Sequence, residues 1–301
     1  MSKRAVVTGG AGFVGSHLCE ALAERGWEVV SVDDLSTGAL CNLESARAKG
    51  VSAEWVDITD PRLEGVMADA APQVVFHLAA MSSVRQCEKD PRRCGEVNAE
   101  GTARVLESAV RSGAEKLVNI SSLAVHGASP GSAGASYGLS KLAAEDHVRR
   151  QAASAGIDWI TLRPANVYGP RQHGDGESAV VATWFWGMAN QRPLFLDGDG
   201  LQTRDFLYVS DAVEAVIAAA ERGSVTAIDV GGGVETSLNA LIRQMRAITG
   251  WEGTLRRRSA RPGDIRRSVV DPRPARTVLG WSARTDLATG LRRTWEWATG
   301  S

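Results

Sequence analysis

Short apolar runs rich in β-branched residues alternate, along the first half of the chain, with longer stretches of helical period. Arg4 to Thr8, Glu28 to Val32, Val51 to Val56, Gln73 to Leu78, Lys116 to Ser121 and Asp158 to Arg163 read as six strands. Val14 to Arg25, Asn98 to Ser112 and Tyr137 to Ala155 read as helices between them. Strands that are almost continuously apolar are those buried on both faces. Strand–helix alternation of this kind predicts an α/β fold, a doubly wound parallel sheet with helices on both sides. After Pro164 the alternation breaks. A loop rich in Gly, Pro, Arg and Asp covers Gly169 to Gly176, and later come a helix (Ser210 to Arg222), a strand (Ala227 to Val230) and a helix (Ser237 to Thr249).

Composition narrows the class without changing this picture. The 301 residues are 44% hydrophobic and 23% charged, with a net charge of −1, which gives no reason to expect nucleic acid or an anionic membrane as partner. The longest apolar stretch, Ala179 to Ala189, is too short to span a bilayer. Trp184, Phe185 and Trp186 within it are expected to pack in a core rather than line a pocket. The four cysteines (19, 41, 87 and 94) lack metal-type spacing and predict neither a metal nor a disulfide framework, so a cytoplasmic, soluble protein is expected. Six arginines between Arg256 and Arg267 read as a solvated basic loop.

Candidate chemistry lies in two places. Thr8-Gly-Gly-Ala-Gly-Phe-Val-Gly15 joins a predicted strand to a predicted helix, where glycines permit a tight turn and close approach of a pyrophosphate to the helix N-terminus. Asp33, 18 residues after Gly15, closes the second strand where a carboxylate can bind ribose hydroxyls and repel a 2′-phosphate. NAD is therefore expected as cofactor in preference to NADP. The second place is Tyr137, four residues before Lys141 on a predicted helix, so that phenol and ammonium share a face. A nearby cation lowers a phenol's pKa and makes it usable as an acid or base near neutrality.

With these motifs in view, the chain resembles the extended short-chain dehydrogenase/reductases, in the nucleotide-sugar epimerase/dehydratase branch. Val32-Asp33-Asp34-Leu35-Ser36-Thr37-Gly38 is similar to that branch's Asp-Asn-Leu-Ser-Thr-Gly segment, and Asp57-Ile58 to its adenine-contacting pair. His77-Leu78-Ala79-Ala80 matches the strand end beside the cofactor, and Asn98 with Gly101-Thr102 the next helix. The resemblance implies a Rossmann-type cofactor site built from Gly9, Gly12, Phe13, Val14, Gly15, Asp33 to Gly38, Asp57, Ile58, Leu78, Ala79, Ala80, Asn98, Tyr137, Lys141 and Pro164. Ser121-Ser122-Leu-Ala-Val-His-Gly127 resembles the family's Ser-Ser-x-x-Val-Tyr-Gly, which makes Ser122, Tyr137 and Lys141 the implied catalytic set. Gly198 to Asp211 and Arg261-Pro-Gly-Asp264 resemble its substrate segments. They imply a substrate site of Ser83, Ser122, Tyr137, Asn166, Arg204, Arg261 and Asp264 around a nucleotide diphosphate.

The resemblance implies two interleaved domains. Residues 1–165 would bind NAD, with segments near 199–230 returning to them; 166–198 and 231–301 would bind the nucleotide sugar. It also implies a homodimer formed through the helices that begin near Asn98 and Tyr137. The places where 4,6-dehydratases of the branch carry Asp-Glu, and sugar-acid decarboxylases a Glu, are here Leu123 and Ala124, which cannot move a proton. The implied activity is thus NAD-dependent 4-epimerisation of a nucleotide-diphosphate hexose, a UDP-sugar by similarity. A ketoreductase or dehydrogenase on a related intermediate and a non-catalytic NAD-binding regulator are the alternatives. Three departures bear on the sugar and the base: a segment about ten residues shorter than usual between Ser122 and Tyr137, His126 for a tyrosine, and Asp197 for an aromatic.

Overall fold

The computed structural model describes residues 2–132, 134–173, 179–260 and 265–300. Its main sheet has seven parallel strands: β1 (Arg4–Thr8), β2 (Glu28–Asp33), β3 (Ser52–Trp55), β4 (Val74–His77), β5 (Lys116–Ile120), β6 (Asp158–Pro164) and, after three strands elsewhere, β10 (Thr226–Val230). Their order is β10-β6-β5-β4-β1-β2-β3. The chain runs outward from β1 through β2 to β3, then returns to β4 and runs the other way. That reversal leaves a crevice at the carboxyl ends of β1 and β4, where open α/β sheets bind ligands.

Alternation along each strand divides the core between two faces. Ala5 and Val7, Phe76, and Val118 join one cluster with Leu18 and Leu22 of α1 (Phe13–Glu24) and Val213 of α9 (Val209–Arg222). Val6, Val75 and Leu117 face the other way, onto Val105 and Leu106 of α6 (Gly101–Arg111) and Val148 of α7 (Ala135–Ala155). The helices between α1 and α6 are α2 (Glu44–Ala48), α3 (Arg62–Ala70), α4 (Val84–Lys89) and α5 (Pro91–Gly95).

The second half supplies a smaller body. β7 (Asn166–Tyr168) and β11 (Glu235–Ser237) flank β9 (Thr203–Tyr208), and β8 (Leu194–Asp197) pairs in parallel with β12 (Leu255–Arg258). Trp184 and Phe185 of α8 (Val180–Ala189) are buried there with Met245 of α10 (Leu238–Thr249) and Leu291 of α12 (Leu287–Thr299), whereas Trp186 is half exposed. Val270, Ala275, Leu279 and Trp281, in and around α11 (Arg273–Leu279), pack instead on the main sheet's core.

Three sequence expectations are corrected. The helix expected to start at Asn98 is entered through a π-helical turn, Glu96–Glu100, whose wider winding turns Asn98 inward. Part of the basic stretch forms β12, and Arg258 lies over the Phe195 ring at 3.6 Å. The cysteines do contain a disulfide: the turn between α4 and α5 brings the Cα atoms of Cys87 and Cys94 to 5.0 Å, and the two are bonded. No helix among the described residues is long and apolar enough to cross a membrane.

Candidate active site

A groove of about 1000 Å³ runs along the carboxyl edge of the sheet and joins the cofactor motifs to the Tyr137 region. At its centre the β1–α1 turn is possible only with glycine. Gly9 has φ +71°, and a Cβ there would lie 2.7 Å from the Ala79 nitrogen; a Cβ on Gly15 would lie 2.0 Å from the Gly9 carbonyl oxygen. Gly12 caps α1 in extended conformation with no side-chain cap, so the first N–H groups of the helix point at the groove.

Asp33 ends β2 beside this turn, buried, its carboxylate accepting from the backbone N–H groups of Ala11 (2.9 Å) and Leu35 (2.8 Å). Burial pushes its pKa up, and these N–H groups oppose that rise. Asp34, Ser36, Thr37, Asp57, Ile58, Leu78, Ala79, Ala80, Phe13, Val14 and Pro164 also line the groove. Leu35, Gly38, Asn98 and Lys141 are not among its walls. Asn98 accepts from Met81 N (2.8 Å) and donates to Ser140 Oγ (2.9 Å) and the Met81 carbonyl (3.1 Å). Asp57 is engaged too: Thr59 holds one oxygen and Arg93 the other, at 2.5 Å, which keeps its carboxyl below the usual range against the effect of burial.

The catalytic candidates converge. Ser122 follows β5 and caps the turn after it, its Oγ accepting from Ala124 N at 3.1 Å; Ser122 and Tyr137 both face the groove, close enough for the serine hydroxyl to favour the phenolate. Lys141 lies one turn on, buried, donating from Nζ to the Ile120 carbonyl at 2.7 Å. Burial lowers its pKa to about 8, partly opposed by Glu145. The expected depression of the Tyr137 pKa by Lys141 is corrected: burial raises the phenol, and the Ser122 hydroxyl beside it opposes that rise. The Lys141 charge is directed at a backbone carbonyl instead. Glu145 is paired through both oxygens with Arg163, which reaches Asp229, and Asp229 meets His126 at 2.8 Å.

On the substrate side Asn166 and Arg204 line the groove, and Arg204 donates to the carbonyls of Thr203 (2.8 Å) and Ile265 (2.6 Å). Ser83 does not: its hydroxyl caps α4 by accepting from Gln86 N, and Ser82 takes the wall position. Arg261 and Asp264 lie outside the described residues. Sequence reading missed Gln86, Lys89, Arg93 and Gln172, which also form walls. Gln172 donates to the Val167 carbonyl, and its buried Oε1 has no partner among the described residues, as is true of the buried Ser121 hydroxyl on the same groove. Orphaned polar atoms at a groove wall call for a polar ligand. Ser121 stands in the recognisable Ser-Ser segment, whereas Gln172 belongs to no spacing pattern and only its burial could have pointed to it.

A strand–glycine turn–helix cradle, a ribose-type carboxylate and a Ser–Tyr–Lys set at one sheet edge define a nicotinamide-dependent short-chain dehydrogenase/reductase fold. The model of the NAD dependent epimerase/dehydratase family matches residues 5–231, and the chain belongs to that family. It is 38% identical to a UDP-glucose 4-epimerase of Mycolicibacterium smegmatis over 97% of both chains. Among solved structures it is similar to the UDP-glucose 4-epimerase of Thermotoga maritima with UDP-glucose, with a TM-score of 0.92, 33% identity and 98% of each chain covered. It is similar as well to a UDP-N-acetylglucosamine 4-epimerase of Methanobrevibacter ruminantium M1, with a TM-score of 0.92, 29% identity and 100% and 99% covered. The chain is an NAD-dependent protein of this family, and the glycine cradle and Asp33 fit that cofactor.

Proposed function

We propose that the chain catalyses 4-epimerisation of a nucleotide-diphosphate hexose, a UDP-hexose in the first instance. The observation that carries this reading is the meeting of Ser122 and Tyr137 on the groove floor with Lys141 behind them, while the two positions after Ser122 are Leu123 and Ala124. Bound NAD supplies a hydride acceptor that can return what it takes. Tyr137, whose phenol burial keeps protonated in the chain alone, would have to give up that proton before it takes the one on the sugar 4-hydroxyl and returns it, with the Ser122 hydroxyl bridging phenol and sugar oxygen. Lys141 is placed to hold the cofactor ribose once its Nζ turns from the Ile120 carbonyl. Arg204 holds the diphosphate and Asn166 orients it, so that the oxidised sugar can present its other face. Leu123 and Ala124 supply no proton-transfer group at the places where dehydratases and decarboxylases of the branch carry a carboxylate, which favours epimerisation over elimination of water or loss of carbon dioxide.

In this reading residues 1–165 and the segments near 199–230 hold NAD, and the nucleotide sugar lies against 166–198 and 231–301. The exposed Leu142 on α7 supports pairing of α6 and α7 with a second copy.

The test is proton NMR of UDP-glucose, UDP-N-acetylglucosamine and UDP-glucuronate incubated with enzyme and substoichiometric NAD, alongside Tyr137→Phe. A C4 epimer forming without matching NADH, and lost in the variant with NAD binding intact, supports the proposal. Stoichiometric NADH would identify a dehydrogenase; an unaltered panel would exclude UDP-hexose epimerisation.

A further inference from the structure

The disulfide stands at a position that the chemistry proposed above does not use. It joins α4 to α5 within a segment, Val84–Gly95, that lines the groove and is tied to its Asp57 wall. Gln86, Lys89 and Arg93 of this strap face the groove, and Arg93 fastens it to Asp57 at 2.5 Å and to Glu96 at 3.0 Å. Beneath it, both cysteines are wholly buried. Cys94 Sγ lies 3.4 Å from Asn98 Nδ2 and 3.4 Å from Ser140 Oγ, and Cys87 Sγ lies 3.4 Å from the Met81 carbonyl oxygen. Asn98 in turn grips Met81 at both its N–H and its carbonyl, and Ser140 sits between Tyr137 and Lys141 on α7. One cross-link thus meets the strap, the groove wall at Met81 and the helix carrying the catalytic pair.

We propose that the Cys87–Cys94 disulfide positions the strap over bound NAD, and that its reduction by a low-molecular-weight thiol loosens the strap and weakens cofactor retention. The inference rests on NAD binding, not on which sugar is turned over. In the exchange, a thiolate attacks one buried sulfur and the Cys87–Cys94 bond breaks as a mixed disulfide forms. A second thiol resolves it, leaving two protonated cysteines and the external thiol oxidised to its own disulfide. Neither sulfur is exposed, so attack requires the strap to open. Bound NAD, lying under it, opposes that opening. By linkage, whatever factor the disulfide adds to NAD affinity, NAD adds to the disulfide's resistance to reduction. A tenfold effect equals about 30 mV for this two-electron couple.

The experiment uses the full chain stripped of NAD. Thiol titration after denaturation should count two free cysteines in the oxidised protein and four after reduction. Calorimetric titration with NAD should give an affinity about tenfold weaker for the reduced form, with the far-UV circular dichroism unchanged. The variant C87S/C94S should bind like the reduced protein and ignore added thiol, and saturating NAD should slow reduction of the native protein. Four thiols in the air-oxidised protein, equal NAD affinity within twofold in both states, or unfolding on reduction would each overturn the clamp. The native protein's two states decide the matter even where the variant fails to fold. Equal affinities would sink only the clamp, whereas no NAD binding in either state would remove the cofactor reading along with it.

Discussion

Replacing Lys141 by methionine should stabilise the NAD-free protein near neutrality while ending turnover, and the structure gives the size. Burial lowers the ammonium's pKa from 10.5 to about 8. Between these values the unfolded chain holds a proton that the folded chain has shed, so stability rises with pH across about 8 to 10.5. Below pH 8 both states are protonated and the whole cost of the buried charge is present. From the two pKa values that cost is about 3 kcal/mol at pH 7 and falls to about 1 kcal/mol at pH 9.5. Methionine keeps the volume and removes the charge, but forfeits the hydrogen bond to the Ile120 carbonyl, worth about 1.5–3 kcal/mol. The net gain at pH 7 is therefore about 1 kcal/mol, or a rise of about 2 °C in Tm for a chain of this length. Urea unfolding of both proteins at pH 7 and 9.5 checks it. The stability of Lys141→Met relative to the native chain should decline by about 2 kcal/mol between the two pH values. A difference independent of pH, or one that grows with pH, would show that Lys141 is not held against its own charge and would refute the argument.

Gly15→Ala should abolish NAD binding at millimolar cofactor while leaving the chain folded, because its Cβ would press on the Gly9 carbonyl oxygen at 2.0 Å and push the turn into the phosphate path; equilibrium dialysis with NAD reads this directly. Asp33→Ala should weaken NAD about tenfold and bring NADP to within tenfold of NAD, since it removes the buried carboxylate from the ribose side; unchanged preference in calorimetry would displace Asp33 from that role. Gln172→Leu should raise KM for the accepted sugar nucleotide about tenfold with little change in kcat, because the buried Oε1 has no partner among the described residues and can serve a ligand hydroxyl or amide. Steady-state kinetics separate that outcome from a loss confined to kcat.

What the sequence made legible is what depends on local spacing. The β1 run, the glycines at 9, 12 and 15, and Asp33 at the end of β2 are consecutive parts of one unit, and the structure assembles them within a few residues of the expected bounds. Tyr137 and Lys141 need only a helix to share a face, and α7 provides it. Spacing does not carry direction. Lys141 was expected to bear on Tyr137, yet its ammonium is turned to the Ile120 carbonyl, because a buried cation takes the nearest strong acceptor that the fold offers. Ser83 and Asn98 show the same limit: both stand in recognisable segments, and both are spent on holding backbone.

The motif carboxylates make the point from the other side. Asp205, in the Arg-Asp-Phe segment, accepts from the N–H groups of Gly232, Gly233 and Val270, and Asp211 accepts from those of Arg284 and Thr285. Each binds a distant loop back onto β9 or α9, so a signature that reads as substrate chemistry is in part the stitching that brings the chain's last third to the groove. The same logic separates Glu145 and Arg163 from any catalytic role. Their bidentate pair joins α7 to β6 directly below Lys141, and Asp229 extends it to β10 and to His126 at the rim. A carboxylate and a guanidinium so little exposed hold each other in place only as a pair, and losing one partner leaves a buried charge at a cost of about 3–5 kcal/mol. Lys141 therefore rests on a floor that no local pattern announces, because its parts are 18 and 66 residues apart and meet only once the sheet has closed.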